Sequence, residues 1–152
     1  MWKELEGRTA VLPSLYAGDF ARLGEQIETL LRAGARLFHF DIGDGHFVPP
    51  VTIGPVVLRS IEGLIHDAGG AVDCHLMVDN PSDHFEELAA SGADSVTFHH
   101  ETVSDPAGVA EAARNLGLAV GIALNPGTLV ADVTSLVDEL ADIALLMTIQ
   151  PG

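Results

Sequence analysis

His39 and Asp41 stand two positions apart in the apolar run His39-Phe40-Asp41, and that spacing decides where their side chains go. In an extended strand, residues i and i+2 project to the same face, so an imidazole and a carboxylate emerge side by side. A third such group, His75, lies in Cys74-His75-Leu76-Met77 at the end of another apolar run, and His99-His100-Glu101 closes a third. Imidazole nitrogens and carboxylate oxygens form a donor set suited to Zn²⁺, Fe²⁺, Mn²⁺ or Co²⁺, and they also serve proton transfer. His39, Asp41 and His75 need a joint explanation, because polar groups turned into an apolar interior are costly unless paired. His99 and His100 read as ordinary hydrogen-bonded residues, and Asp44 and His46 as solvent-exposed ones in the following loop. Spacing alone supports a metal or acid–base site and nothing finer.

The elements that position these residues alternate regularly. Continuously apolar runs predict buried parallel strands at Thr9–Ser14, Arg36–Asp41, Ala71–Met77, Ser95–His99, Ala119–Leu124 and Ile143–Thr148. Between them lie stretches with helical spacing: Asp19–Ala33, Pro55–Asp67, Pro81–Ser91, Pro106–Leu116 and Thr128–Leu140. Pro55, Pro81 and Pro106 fall near helix starts, where a missing N–H costs nothing. Ala-Gly-Ala at 33–35 and Ser-Gly-Ala at 91–93 end helices and lead into strands. Strict βα alternation allows a doubly wound sheet or a (β/α)8 barrel. Polar and Gly- or Pro-rich residues follow several different strands rather than one switch point, and no Gly-x-Gly-x-x-Gly follows the first, so the barrel is favoured. The expectation is one βα-barrel domain over residues 1–152, with six strands present and the chain stopping before strands 7 and 8. A typical (β/α)8 fold takes about 250 residues, and an open edge after strand 6 would be an aggregation hazard.

Composition narrows the partners. With 47% hydrophobic residues the chain can build a sizeable core, and its formal net charge of −15 argues against nucleic acid or an anionic membrane as partner. Backbone N–H groups can still bind a small phosphorylated ligand. The single cysteine, Cys74, excludes an intrachain disulfide and reads as a core residue. Met1 to Gly7 lacks an apolar leader segment, and no apolar run approaches the ~20 residues of a membrane span. A cytoplasmic protein is the expectation.

A longer motif string is more specific. Pro13-Ser14-Leu15, Asp19-Phe20-Ala21-Arg22-Leu23, His39-Phe40-Asp41, Asp44-Gly45-His46-Phe47-Val48-Pro49, His75-Leu76-Met77-Val78 with Asn80-Pro81, Leu124-Asn125-Pro126-Gly127-Thr128, and Met147-Thr148 with Pro151-Gly152 occur in this order. From about Val11 to Gly152 the string closely resembles the ribulose-phosphate 3-epimerase family. The resemblance implies a TIM barrel of the ribulose-phosphate-binding type. It also implies one divalent metal ion and epimerisation of D-ribulose 5-phosphate and D-xylulose 5-phosphate at C3, in the pentose phosphate pathway, through an enediolate with one acid–base group on each face. By the same resemblance His39, Asp41 and His75 are three of four metal ligands, Asp41 is also one acid–base carboxylate, and Ser14 and His75 contact substrate. Met77 and Met147 line the pocket, and Gly152 opens a glycine-rich loop. The partners implied are a small phosphorylated ketose and further copies of the chain in a homo-oligomer.

The family's second carboxylate, its fourth ligand, belongs to strand 7, and its phosphate-binding glycines follow strands 7 and 8. The 152-residue chain is therefore expected to be inactive alone. Gly43 stands where the family usually has Met, Tyr16-Ala17-Gly18 where it has Leu-Ser-Ala, and Pro50 where it has Asn. These departures would remove a side chain from the pocket wall and add a phenol near its mouth, which either reshapes the pocket for another ketose phosphate such as allulose 6-phosphate or simply compensates in volume. A non-catalytic paralogue that keeps the scaffold is a further alternative, disfavoured by the intact His39, Asp41 and His75. The Asp-x-Lys-x-x-Asp decarboxylase barrels are excluded, since the chain has no Lys beyond Lys3.

Overall fold

The structure, a computed structural model, describes residues 2–5 and 8–152. Met1, Glu6 and Gly7, which belong to the stretch read above as lacking a leader, lie outside the described residues. Five strands form one parallel sheet: β1 (Leu37–Gly43), β2 (Ala71–Met77), β3 (Ser95–His99), β4 (Ala119–Leu124) and β5 (Ile143–Leu146). Their spatial order is their chain order, β1-β2-β3-β4-β5. A doubly wound sheet would reverse direction at a switch point; this one does not.

The sixth expected strand, Thr9–Ser14, is not formed. Only Ser14 bridges to β1, opposite His39, and the Pro13 carbonyl accepts the His39 N–H at 3.0 Å. Pro13 has no N–H to give to a ladder, and Thr9, Ala10 and Val11 are exposed. At the other edge β5 ends at Leu146 rather than Thr148, with one further ladder-like bond from the Met147 N–H to the Leu124 carbonyl at 3.0 Å. β1 runs on past Asp41, because the Gly43 N–H donates to the Thr52 hydroxyl at 2.7 Å while Gly43 stays in register with Met77.

The helices follow their predicted starts closely. The Asp19 carboxylate caps the Ala21 N–H at 3.0 Å, opening a 3₁₀ turn at Phe20–Arg22 that continues into α1 (Leu23–Arg32). α2 (Pro55–His66) begins on its proline and buries Leu58, Ile61 and Ile65 at helical spacing. Pro81 opens a 3₁₀ turn ahead of the short α3 (Phe85–Ala90). α4 (Pro106–Asn115) is capped by Asp105, and α5 spans Val130–Leu140. Gly34 and Gly92 follow helix ends with φ of 99° and 92°, a turn that a residue bearing Cβ resists.

Alternation divides each strand between two faces. Phe38, Phe40, Val72, Cys74, Leu76, Val96, Phe98, Val120 and Ile122 point to one face, in one core with Ile27, Leu58, Ile65, Leu88 and Val133 of the helices. Full burial of such a side chain contributes about 1.5–3 kcal/mol, so this layer holds sheet and helices together. Cys74 lies within it, as read from the sequence. The other face is left free for polar residues, and the register aligns Asp41, His75, Thr97 and Gly121 in one row across it.

Candidate metal and acid–base site

That polar row is where the predicted residues meet. The His39 Nε2 lies 3.2 Å from Asp41 Oδ1, and the His75 Nδ1 lies 3.1 Å from the same oxygen. The other Asp41 oxygen accepts a hydrogen bond from the Ser14 hydroxyl, which the single bridge to β1 brings within reach. His75 is buried, and the His39 and Asp41 side chains are only 17% and 15% exposed. Buried imidazoles sharing one carboxylate oxygen shift its acidity. Burial would raise Asp41, but hydrogen bonds from His39, His75 and Ser14 hold it well below the usual carboxylate range. Burial likewise opposes charge on His39, but Asp41 and Asp73 outweigh it and raise its pKa from 6.5 to about 9.

The donor set suits a divalent cation. One ligand atom from each of His39, Asp41 and His75 lies within 4.8 Å of the other two. Two atoms bonded at about 2.1 Å to one tetrahedral cation stand about 3.4 Å apart, near the 3.1 and 3.2 Å found here. Asp44, His46 and Asp79 form a second, more exposed acidic group. There Asp44 serves the backbone, accepting the N–H groups of His46, Phe47 and Asp79 at 2.8–2.9 Å.

Behind these three residues stands a layer that spacing in the sequence does not reveal. Asp73, buried on β2, faces the His39 Nδ1 at 3.2 Å and accepts the Ser95 and Thr97 hydroxyls at 2.6 and 2.8 Å. Burial would raise its pKa, but its bond to His39 and the two hydroxyls lower it below the usual carboxylate range. Asp73 precedes His75 by two positions, so the alternation that paired His39 with Asp41 also marks it. Thr97 can lean in because Gly121 is beside it: a Cβ there would lie 2.0 Å from the Thr97 hydroxyl oxygen. His99, read as an ordinary polar residue, instead joins the network. It is fully buried, with Nε2 2.8 Å from the His75 Nε2 and the Phe47 ring 4.8 Å from its own. Burial and the neighbouring His75 lower its pKa to about 4.

The remaining predicted residues are more scattered. Met77 is buried at the end of β2, on the face of Asp73 and His75, and Met147 is half-buried just beyond β5. Gly152 approaches the loop after β1, where a Cβ would lie 2.9 Å from that of Val48. Gly43 leaves no opening beside it, which goes against a reshaped pocket and with compensation in volume. A Cβ on it would meet the Pro50 carbonyl and a Val48 methyl at 2.8 Å and a Thr52 methyl at 3.2 Å. The loop after β1 occupies that space. Tyr16 is 40% exposed, its ring 6.0 Å from that of Phe20.

A family model described as the ribulose-phosphate 3 epimerase family matches residues 10–152. The chain belongs to that family. It is 40% identical over 145 residues to the cytoplasmic isoform of ribulose-phosphate 3-epimerase from Oryza sativa subsp. japonica, covering 93% of this chain and 62% of the relative. Against ribulose-phosphate 3-epimerase of Escherichia coli (strain K12) the identity is 37% over 142 residues, with the same two coverages. This ribulose-phosphate 3-epimerase family chain thus spans about three-fifths of the length of the relatives it matches. Among solved structures, tryptophan synthase subunit alpha from Legionella pneumophila superposes with a TM-score of 0.65 at 12% identity, over 96% of this chain and 65% of that one. That likeness concerns the fold alone: with the unreversed parallel sheet it gives an α/β TIM-type fold, with five strands among the described residues rather than six.

Proposed function

We propose that this chain carries the metal-binding part of an active site that interconverts D-ribulose 5-phosphate and D-xylulose 5-phosphate by inversion at C3. The observation that supports it most is the meeting of Ser14, His39, Asp41 and His75 on one face of the parallel sheet, in a member of this family. A proton beside a carbonyl is too weakly acidic to leave unaided at neutral pH. His39, Asp41 and His75 would hold one divalent cation, whose positive charge would offset the negative charge that builds on the sugar oxygens as the proton leaves. Asp41, kept ionised by its donors, takes the proton on one face. The Ser14 hydroxyl and His75 hold Asp41 in place and contact the sugar, while Met77 and Met147 pack beside the planar intermediate without ordering water there. Gly152 borders the substrate.

Inversion needs a second group on the opposite face. The family resemblance puts that carboxylate, and the phosphate-binding glycines, beyond Gly152, so the 152-residue chain by itself does not epimerise. Val48, Pro50 and Thr52 fill the space beside Gly43, so the pocket is not enlarged there and a pentulose phosphate is preferred over allulose 6-phosphate. Among the described residues no helix is long and apolar enough to cross a membrane. A cytoplasmic homo-oligomer completes the proposal. Metal analysis tests its centre: stoichiometric zinc, iron, manganese or cobalt, lost in His75→Ala, is the expected result. A chain without bound metal, or turnover of ribulose 5-phosphate by the 152-residue polypeptide, overturns the respective part.

A further inference from the structure

His75 and His99 lie in a chain of contacts that begins and ends on carboxylates. Asp41 Oδ1 to His75 Nδ1 is 3.1 Å, His75 Nε2 to His99 Nε2 is 2.8 Å, and His99 Nδ1 to Glu101 Oε2 is 3.4 Å. Each contact needs one proton between its two atoms. Two neutral imidazoles carry two protons for three contacts, so one contact is left with two lone pairs facing each other. A third proton or a cation must fill that gap. The gap can sit at any of the three contacts; two bare nitrogens facing at 2.8 Å between His75 and His99 is the costliest arrangement, so the gap falls at one end, and Glu101 decides which.

Glu101 is held rigidly for this. Its Oε1 accepts the Asn125 N–H at 2.8 Å and the Thr128 hydroxyl, both from the loop after β4, which leaves Oε2 to face His99. An ionised carboxylate there accepts a proton and cannot give one. It therefore favours His99 with hydrogen on Nδ1 and a bare Nε2. That bare nitrogen must accept from His75, placing the His75 hydrogen on Nε2 and leaving Nδ1 bare. The unfilled contact then falls between Asp41 and His75, where His39 Nε2 also converges.

We propose that Glu101 is a positioning residue for the metal site: acting through His99, it fixes which nitrogen of His75 carries hydrogen, so that Nδ1 is presented bare to the cation. The inference rests on the metal-binding reading above. Outer partners that set a ligand histidine's tautomer characteristically change metal affinity by about 10–100-fold when altered. Asp73 does the equivalent for His39 by a single contact, whereas Glu101 works at one remove and couples the loop at Asn125–Thr128 to the metal.

The test is Glu101→Gln in the 152-residue chain. Its amide oxygen can keep the Asn125 and Thr128 bonds, which turns the NH₂ toward His99 Nδ1 and reverses the order of hydrogens along the chain. Zinc affinity is measured by competition with a chromophoric chelator, and histidine tautomers by long-range ¹H–¹⁵N NMR of the metal-free protein. The expected result is His99 protonated on Nδ1 in the wild type, a shift to Nε2 in Glu101→Gln with zinc affinity down about 10–100-fold, and partial recovery in Glu101→Asp. A folded Glu101→Gln with wild-type affinity, or a wild-type His99 protonated on Nε2, overturns the proposal. If circular dichroism shows Glu101→Gln unfolded, the wild-type spectrum alone decides. A wild type that binds no zinc, or zinc that His75→Ala retains, removes the metal reading itself and this inference with it.

Discussion

Asp73→Asn in the metal-free protein changes one atom behind the site and isolates what its charge does. The His39 ring lies between Asp41 and Asp73, 3.2 Å from an oxygen of each, and its pKa stands at about 9 against an ordinary 6.5. A group whose pKa is higher folded than unfolded stabilises the fold fully below the unfolded value and loses that contribution as pH rises through the folded one. The window is therefore pH 6.5 to about 9, and the difference of roughly 2.5 units corresponds to about 3 kcal/mol. With the side chain only 17% exposed, solvent screening takes little of this. Asparagine keeps the volume and an oxygen for the Ser95 and Thr97 hydroxyls but not the charge. About half of the pH-dependent part, roughly 1.5 kcal/mol, should disappear while Asp41 supplies the rest. Urea unfolding in the presence of a chelator, at pH 6 and pH 9.5, measures it. Asp73→Asn should be less stable than wild type by a margin that is about 1.5 kcal/mol larger at pH 6 than at pH 9.5. His66, raised by Asp94 and Glu62 against burial, titrates in the same direction but is common to both proteins and cancels. An equal margin at the two pH values would falsify the account of Asp73 as the charge that holds His39 protonated.

Zinc binding at pH 7.5 should expel about one proton per ion, because a ligand nitrogen must be bare and His39 is charged at that pH. Calorimetry in two buffers of different ionisation enthalpy reads the number, and identical heats in both would contradict it. Gly121→Ala should destabilise the protein by about 1–3 kcal/mol, since its Cβ would lie 2.0 Å from the Thr97 hydroxyl oxygen and 2.8 Å from the Thr97 Cβ. Denaturant midpoints unchanged within error would show that Thr97 need not lean on Asp73.

The sequence made His39, Asp41 and His75 visible as a group and concealed what orients them, for a geometric reason. His39 and Asp41 are coupled by position within one strand, and spacing in the chain reports that directly. Asp73 obeys the same rule toward His75, but a carboxylate inside an apolar run is recognisable as a partner only once β1 and β2 are laid in register and His39 comes opposite it. Glu101 is further from view: it sits past the end of β3, and its role depends on His99 lying beside His75 and on a loop after β4 holding its other oxygen. The expected strand at Thr9–Ser14 failed for a related cause. Its apolar residues suit a strand, but strand formation also requires donors and a neighbour, and Pro13 withholds one donor while Thr9 to Val11 stand exposed. Even there the functional part survived, because Ser14 needs only its one bridge opposite His39 to reach Asp41. Chemistry in this chain is therefore set by contacts between neighbouring strands, and spacing foretells it only where both partners belong to the same strand.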